Sequence, residues 1–260
     1  RIALRIMSGV GSSSTRLVLG VMAATALLSM WINSTAATLV MLPIALSLID
    51  DDAAPAEARK RLTVPLLLGV AYGATIGGLA TPVGTPPNLV FLALWKQLYP
   101  DQSAIGFGQW MATGLPLAAV FLAIAWVLLT RMVFNLKGDT LGAADAVKER
   151  LKALGRPSRD EWLAGSVFVL VALLWMTGDS IKQGDLVLFK GWREHAQALG
   201  DVSDAAVAVF GAVLLFLLPN SKHKREPHDA YATHEDGHAL MSWSFAEHRV
   251  PWGVLLLIGG

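Results

Sequence analysis

The chain has 260 residues, of which 54% are hydrophobic and 16% charged, with a mean hydropathy of +0.51. Soluble domains usually carry about 25% charged residues, so the composition argues against one. A net charge of +1 gives no basis for nucleic-acid binding, and the absence of cysteine excludes disulfides, thiolate metal sites and cysteine nucleophiles.

Charge-free blocks run over 17–49, 62–95, 102–130, 162–178, 205–221 and from 250 onward. A helix needs about 20 apolar residues to cross some 30 Å of hydrocarbon. The blocks are continuously apolar rather than alternating, which favours helices that pair their own backbone groups over a membrane barrel. The expected fold class is therefore an all-α integral membrane protein with several spans. Beginning at Arg1 and ending inside the apolar run "VPWGVLLLIGG", the chain reads as a fragment at both ends.

The first block, Leu17 to Ile49, is too long for one straight span, since its 33 residues would extend about 50 Å as helix. Polar Asn33, Ser34, Thr35 and Thr38 interrupt its centre. It is either a long tilted helix or a re-entrant hairpin with the polar residues at its tip. Positive charge arbitrates, because cytoplasmic flanks carry the excess of Lys and Arg. With a hairpin, 17 of the 21 such residues fall on one side; with a single crossing the split is 7 to 14. The hairpin gives the sharper asymmetry and assigns the 1–16 flank to the cytoplasm.

The second block carries "GATIGGLATPVGTPPNLV" from Gly73 to Val90. Proline lacks a donor and clashes with the preceding turn, and glycine weakens helix. The pattern predicts a broken span: helix over about Leu62 to Ile76, an unwound segment, and a shorter helix over about Asn88 to Leu98. Such a break is tolerated at membrane depth only where it is buried in protein or lines a cavity. Residues 109–131, 162–178 and 205–219 read as ordinary spans, and 179–204 as an external loop. The stretch between the first two of these has helical spacing with basic residues, which suits equally a helix along the cytoplasmic surface and a solvated linker.

Two overlong blocks, each interrupted by small polar residues, match a transporter site made of discontinuous helices. Half-helix N-termini and free N–H groups suit a carboxylate, while freed carbonyls and hydroxyls suit Na⁺. Asn33, Ser34 and Thr35 offer both kinds of group, as do Gly84, Thr85 and Asn88. Ser, Thr and Gly also serve as small packing residues in membrane helices, which is the ordinary role for Thr25, Ser29 or Thr75 taken singly.

"SMWINSTAATLVMLPIAL", the later "GGLATPVGTPPNLV" and the terminal "VPWGVLLLIGG" together resemble the divalent anion:sodium symporter family of sodium-coupled dicarboxylate, citrate and sulfate carriers. The resemblance implies an inverted-repeat, elevator-type carrier whose transport domain moves past a scaffold that mediates homodimerisation. It divides the chain into a cytoplasmic flank at 1–16, a first half of the transport domain made of the hairpin 17–49 and the spans of 62–131, a cytoplasmic linker helix at 132–161, scaffold-like spans at 162–249, and the start of a second repeat at 250–260. It also implies that the second repeat supplies the other half of the site, so that this stretch does not transport alone. Asn33, Ser34, Thr35, Thr85, Pro86 and Asn88 would meet a small divalent anion. Ser29, Asn33, Ser34 and Gly84 would hold Na⁺, the coupling ion. The family's usual tip order is Ser-Asn-Thr; here Asn33 stands at the Ser position and Ser34 at the Asn position, which bears on the substrate.

The expected function is thus sodium-coupled symport of dicarboxylates or similar anions across the plasma (inner) membrane by a multi-pass protein in the lipid bilayer. A channel or passive pore could use the same polar hairpins, and an exchanger could share the fold. An enzyme is not expected, and proton coupling is less favoured, because the membrane blocks hold no Asp, Glu or His. The loop histidines His223, His228, His234, His238 and His248 could suggest a metal cluster, but their spacing matches no tight motif and a hydrophilic loop accounts for them. Asp50, Asp51 and Asp52, beside Arg59, Lys60 and Arg61, read as a charge-balanced turn. If the hairpin forms, Trp31 packs beside its tip.

Overall fold

The computed structural model describes residues 1–10, 13–49, 56–136, 151–183, 186–195, 202–220, 239–243 and 246–247. It divides into two compact units, Arg1–Gly155 and Arg156–Gly260. The Asp50–Asp52 turn, the five loop histidines, the centre of the 132–161 linker and the 250–260 segment lie outside the described residues.

The first unit consists of α1 (Ile2–Val10), α2 (Ser14–Ser29), α3 (Ser34–Ile49), α4 (Ala56–Gly78), α5 (Pro86–Leu98) and α6 (Phe107–Val127), the last continuing as π-helix through Leu128–Val133. The overlong first block therefore splits at Met30–Asn33 into two helices of 16 residues each. Each is about 24 Å long, short of the hydrocarbon thickness.

The core identifies how the pair runs. Leu17, Val18 and Val21 from the start of α2 share one buried cluster with Met41, Ala45 and Leu48 from the end of α3 and with Leu62, Leu66 and Val70 from the first part of α4. The chain thus doubles back at residues 30–33, and α4 runs alongside with its start near both open ends of the hairpin.

The contact between α2 and α4 depends on small residues. Gly69, Gly73 and Gly77 recur every four positions and form one face of α4, which lets the helix backbones approach closely. A Cβ at Gly73 would lie 2.7 Å from the Met22 carbonyl oxygen, and one at Gly77 would overlap the Ala26 backbone. Since Ala26 lies three residues before Ser29, this approach brings the end of α4 against the hairpin tip.

Proline alone does not explain where the helices stop. Pro43, Pro65 and Pro116 lie inside α3, α4 and α6, which continue past them. Helix α4 runs two residues beyond the expected end, to Gly78, and α5 begins at Pro86 rather than Asn88. Prolines fit the first turn because the N–H they lack has no intrahelical partner there.

The α6 region, Phe107–Val133, is long and apolar enough to cross a membrane by length and composition, and most of its side chains are exposed. The shorter apolar helices are α2, α3 and, in the second unit, Asp204–Leu217.

In the second unit, α7 (Arg159–Met176) starts with a capping box in which Ser158 and Glu161 satisfy each other's backbone N–H groups. A small antiparallel pair, β1 (Ile181–Gln183) and β2 (Leu186–Phe189), interrupts the expected external loop. It is followed by a 3₁₀ turn at Trp192–Glu194 and by α8 (Asp204–Leu217), which packs on α7. Apart from these two strands, the isolated bridge Pro219–Ala239 and a bridge residue at Ser13, the regular structure among the described residues is helical, in line with the expected class.

Arg193 fastens this loop to the helices. It donates through Nη1 to Asp179 at 2.9 Å and through Nη2 to Asp204, while lying over the Trp192 ring. Burial alone would lower its pKa, but hydrogen bonds and charge from Asp204 and Asp179 outweigh that and raise it. Trp192 Nε1 and Trp175 Nε1 complete the fastening with donations to the carbonyls of Leu174 and Asp204.

Candidate functional site

Both interruptions lie in the first unit, and hydrogen bonds join them directly. Ser29 Oγ, at the end of α2, donates to the Ala74 carbonyl on α4 at 2.5 Å and lies 3.3 Å from Ser34 Oγ across the tip. Ser34 Oγ reaches the Gly84 carbonyl in the break at 3.4 Å. Thr81 Oγ1, also in the break, donates to the Met30 carbonyl in the tip. Residues some fifty positions apart thus form one polar junction.

Gly84 shows how closely the backbone converges there. A Cβ at this position would lie 2.5 Å from the Gly78 oxygen and 2.9 Å from the Ser29 oxygen. Only glycine fits such an approach. Oxygens of Ser29, Ser34, Ala74, Gly78 and Gly84 are gathered here with no ionisable residue among them. The junction also receives the C-terminal ends of α2 and α4, where helix dipoles place partial negative charge. Oxygen atoms at two negative helix ends favour a hard cation.

Donors lie on the other side. The start of α3 is capped by Asn33, whose Oδ1 accepts from the Ala36 N–H at 2.8 Å, while its carbonyl accepts from Ala37. The N–H groups of Ser34 and Thr35 have no intrahelical acceptor, as in any first helical turn. Helix α5 has fewer donors to offer: Pro86 and Pro87 have none, and the Asn88 N–H bonds to the Thr85 carbonyl at 3.1 Å. Anion-binding groups are therefore concentrated at the start of α3, where the dipole is positive.

Of the residues singled out from sequence, Ser29, Ser34 and Gly84 come together in the oxygen cluster. Asn33 is adjacent, with its amide oxygen engaged in capping α3. Thr35 and Pro86 are exposed and Thr85 is partly exposed. Asn88 is set apart: it is buried, and its amide nitrogen bridges the carbonyls of Gly78 and Thr81 at 2.9 and 2.8 Å.

Three participants were not anticipated. Thr81 could have been suspected as the buried hydroxyl within a Gly/Pro break. Trp110 donates from Nε1 to the Leu79 carbonyl at 3.0 Å, a contact across 31 positions that no local pattern signals. Phe107 stacks on Trp31, a residue of the tip itself, with ring centroids 6.4 Å apart.

A family model described as "Citrate transporter" matches residues 1–260. The chain belongs to this family. The citrate transporter family includes carriers rather than enzymes, which implies a membrane protein and agrees with the resemblance read from the motifs. Similar curated proteins are the sodium-dependent dicarboxylate transporters SdcS of Staphylococcus saprophyticus, 34% identical over 271 residues covering 100% of this chain and 47% of the relative, and of Staphylococcus aureus strain NCTC 8325, 33% identical over 270 residues covering 100% of this chain and 46% of the relative. The chain spans about half the length of these relatives.

Proposed function

We propose that the whole protein is a sodium-coupled symporter of dicarboxylates or similar divalent anions, and that this chain contributes one half of its binding site. The junction of the two interruptions carries this reading. Its charge-free oxygens at the ends of α2 and α4 suit Na⁺, through Ser29, Ser34 and Gly84 with Asn33 alongside. The first turn of α3, with Thr35 exposed and with exposed Pro86 and partly exposed Thr85 at the start of α5, suits a substrate carboxylate. Cation and anion would then lie on opposite sides of Ser34 and stabilise each other's charge, which provides coupling without a titratable group. The names of the relatives, which specify sodium dependence and dicarboxylates, support the same reading.

In the full protein, α2 and α3 enter and leave the bilayer as a re-entrant hairpin. The transport domain moves as an elevator against the scaffold of a homodimer in the plasma membrane. The second repeat supplies the matching half-site.

The test is uptake of radiolabelled succinate by the full-length protein in proteoliposomes. Saturable uptake driven by an inward Na⁺ gradient, and abolished when K⁺ replaces Na⁺, is the expected result. Conduction without coupling would overturn the carrier. Thr35→Ala and Ser34→Asn probe the tip: unchanged succinate binding in both variants would remove it from the site.

A further inference from the structure

Where α4 stops, backbone carbonyls that a continuing helix would pair are left for other donors to satisfy. Among the described residues, three of them are held by side-chain N–H groups, which cannot themselves ligate a cation. Asn88 Nδ2 holds the carbonyls of Gly78 and Thr81, and Trp110 Nε1 holds that of Leu79. Thr81 adds a fastening in the other direction, donating its hydroxyl to the Met30 carbonyl of the tip. The Thr81 carbonyl also accepts from the Gly84 N–H at 3.4 Å. This connects the held carbonyls to Gly84, whose own carbonyl faces Ser34.

The environment of these donors differs from that of a ligand-facing residue. Thr81 has no exposed surface and Asn88 is 5% exposed. The Trp110 ring meets Phe91 edge-on at 5.7 Å, and Gly114, one turn further along α6, lies against the carbonyls of Leu79 and Ala80, with room for no more than a tight Cβ at 3.0 Å from each. The start of α6 is thus a brace against the back of the break, and Asn88 is a bridge across it.

We propose that Thr81, Asn88 and Trp110 are positioning residues for the cation side of the site, setting the break so that the Gly84 carbonyl faces Ser29 and Ser34 before the ion arrives. The inference rests on the sodium-coupled reading above. An oxygen set already held in place loses little freedom when an ion binds, whereas a slack one must be ordered at the expense of affinity. Loosening the break therefore weakens Na⁺ binding and leaves substrate recognition intact once Na⁺ is saturating.

The experiment uses the full-length protein in proteoliposomes with four forms: wild type, Thr81→Val, Thr81→Ser and Trp110→Phe. Succinate uptake is measured against Na⁺ concentration, and the succinate KM is measured at saturating Na⁺. Thr81→Val, isosteric but without the hydroxyl, is expected to raise the half-saturating Na⁺ concentration about fivefold, the change that one ordinary hydrogen bond produces. Trp110→Phe, which removes the indole N–H and keeps an aromatic ring, raises it about two- to threefold, and Thr81→Ser, which retains the donor, stays within about twofold of wild type.

In all variants the KM at saturating Na⁺ is expected to hold. An unchanged Na⁺ requirement in Thr81→Val and Trp110→Phe overturns the proposal, as does a KM shift of equal size. If Thr81→Val fails to fold, Trp110→Phe decides. A wild type without Na⁺-dependent uptake overturns the sodium-coupled reading and this inference with it. A Na⁺-dependent wild type with flat variants overturns this inference alone.

Discussion

The tip at Met30–Asn33 and the break at Leu79–Thr85 are both helix interruptions, yet they are built from opposite chemistry. The tip is partly exposed, closed by an asparagine cap, and leaves first-turn N–H donors at the start of α3. The break is largely buried, and its carbonyls are held from behind by Asn88 and Trp110. One side offers donors and the other acceptors, so a single junction can serve an anion and a cation. Pro43, Pro65 and Pro116 end no helix, so proline alone does not set the break, and the carbonyls freed there are taken up by side-chain donors.

The largest effect is expected where the two interruptions are forced together. Gly77→Val would drive a side chain into the Ala26 backbone, which cannot rotate aside as a side-chain terminus could. It should destabilise by about 3 kcal/mol or more and abolish Na⁺-dependent succinate binding, as read by a thermal-shift assay and a binding isotherm on detergent-purified full-length protein. Gly165→Ala on α7 is the control, since a Cβ there meets nothing within 4 Å. Gain of a helix-favouring residue should leave its stability equal or raised by up to about 1 kcal/mol. A Gly77→Val protein as stable as wild type would show that the close approach of α2 and α4 is not required.

Next comes the cation side. Ser29 is fully buried, and its hydroxyl touches both Ala74 and Ser34. Ser29→Ala removes this oxygen with little change in volume and leaves the Ala74 carbonyl within α4. The half-saturating Na⁺ concentration should rise about tenfold, in the range for a lost hydrogen-bonding group facing a charge, while stability changes little. If the loss falls instead on succinate affinity at saturating Na⁺, the sorting of cation and anion between the two sides is wrong.

Much of this was legible in the sequence because it depends on local rules. A 33-residue apolar block exceeds a bilayer, which allows a tilted helix or a hairpin; the distribution of Lys and Arg favours the hairpin, and the Gly/Pro run announces the break. Of Ser29, Asn33, Ser34 and Gly84, named together from the motifs, Ser29, Ser34 and Gly84 lie together, and Asn33 caps α3 beside them. The α5 boundary lies two residues before the expected one, because proline breaks a helix interior but fits a first turn. The Asn33 cap is a local signal, a polar residue directly before a helix. The Thr81–Met30 and Trp110–Leu79 bonds were not readable. They depend on how three helices pack, and neither spacing nor composition encodes a donor arriving from 31 or 51 positions away.

The smallest expected change separates the two roles left to Asn33. Asp accepts the Ala36 N–H as well as Asn does and ranks beside it as a cap. Its negative charge at the positive end of α3 adds about 0.3–1 kcal/mol of stabilisation. If capping were the whole role, Asn33→Asp would leave succinate binding untouched and stability equal or slightly raised. If the substrate carboxylate occupies the first turn of α3, the new carboxylate repels it across a short distance. Succinate affinity should then fall about three- to tenfold while Na⁺ affinity holds or improves, an electrostatic effect of about 1 kcal/mol. A weakened succinate site in a protein of undiminished thermal stability would assign the anion to the tip. An unchanged succinate isotherm would move the anion away from α3 and leave Asn33 as a cap alone.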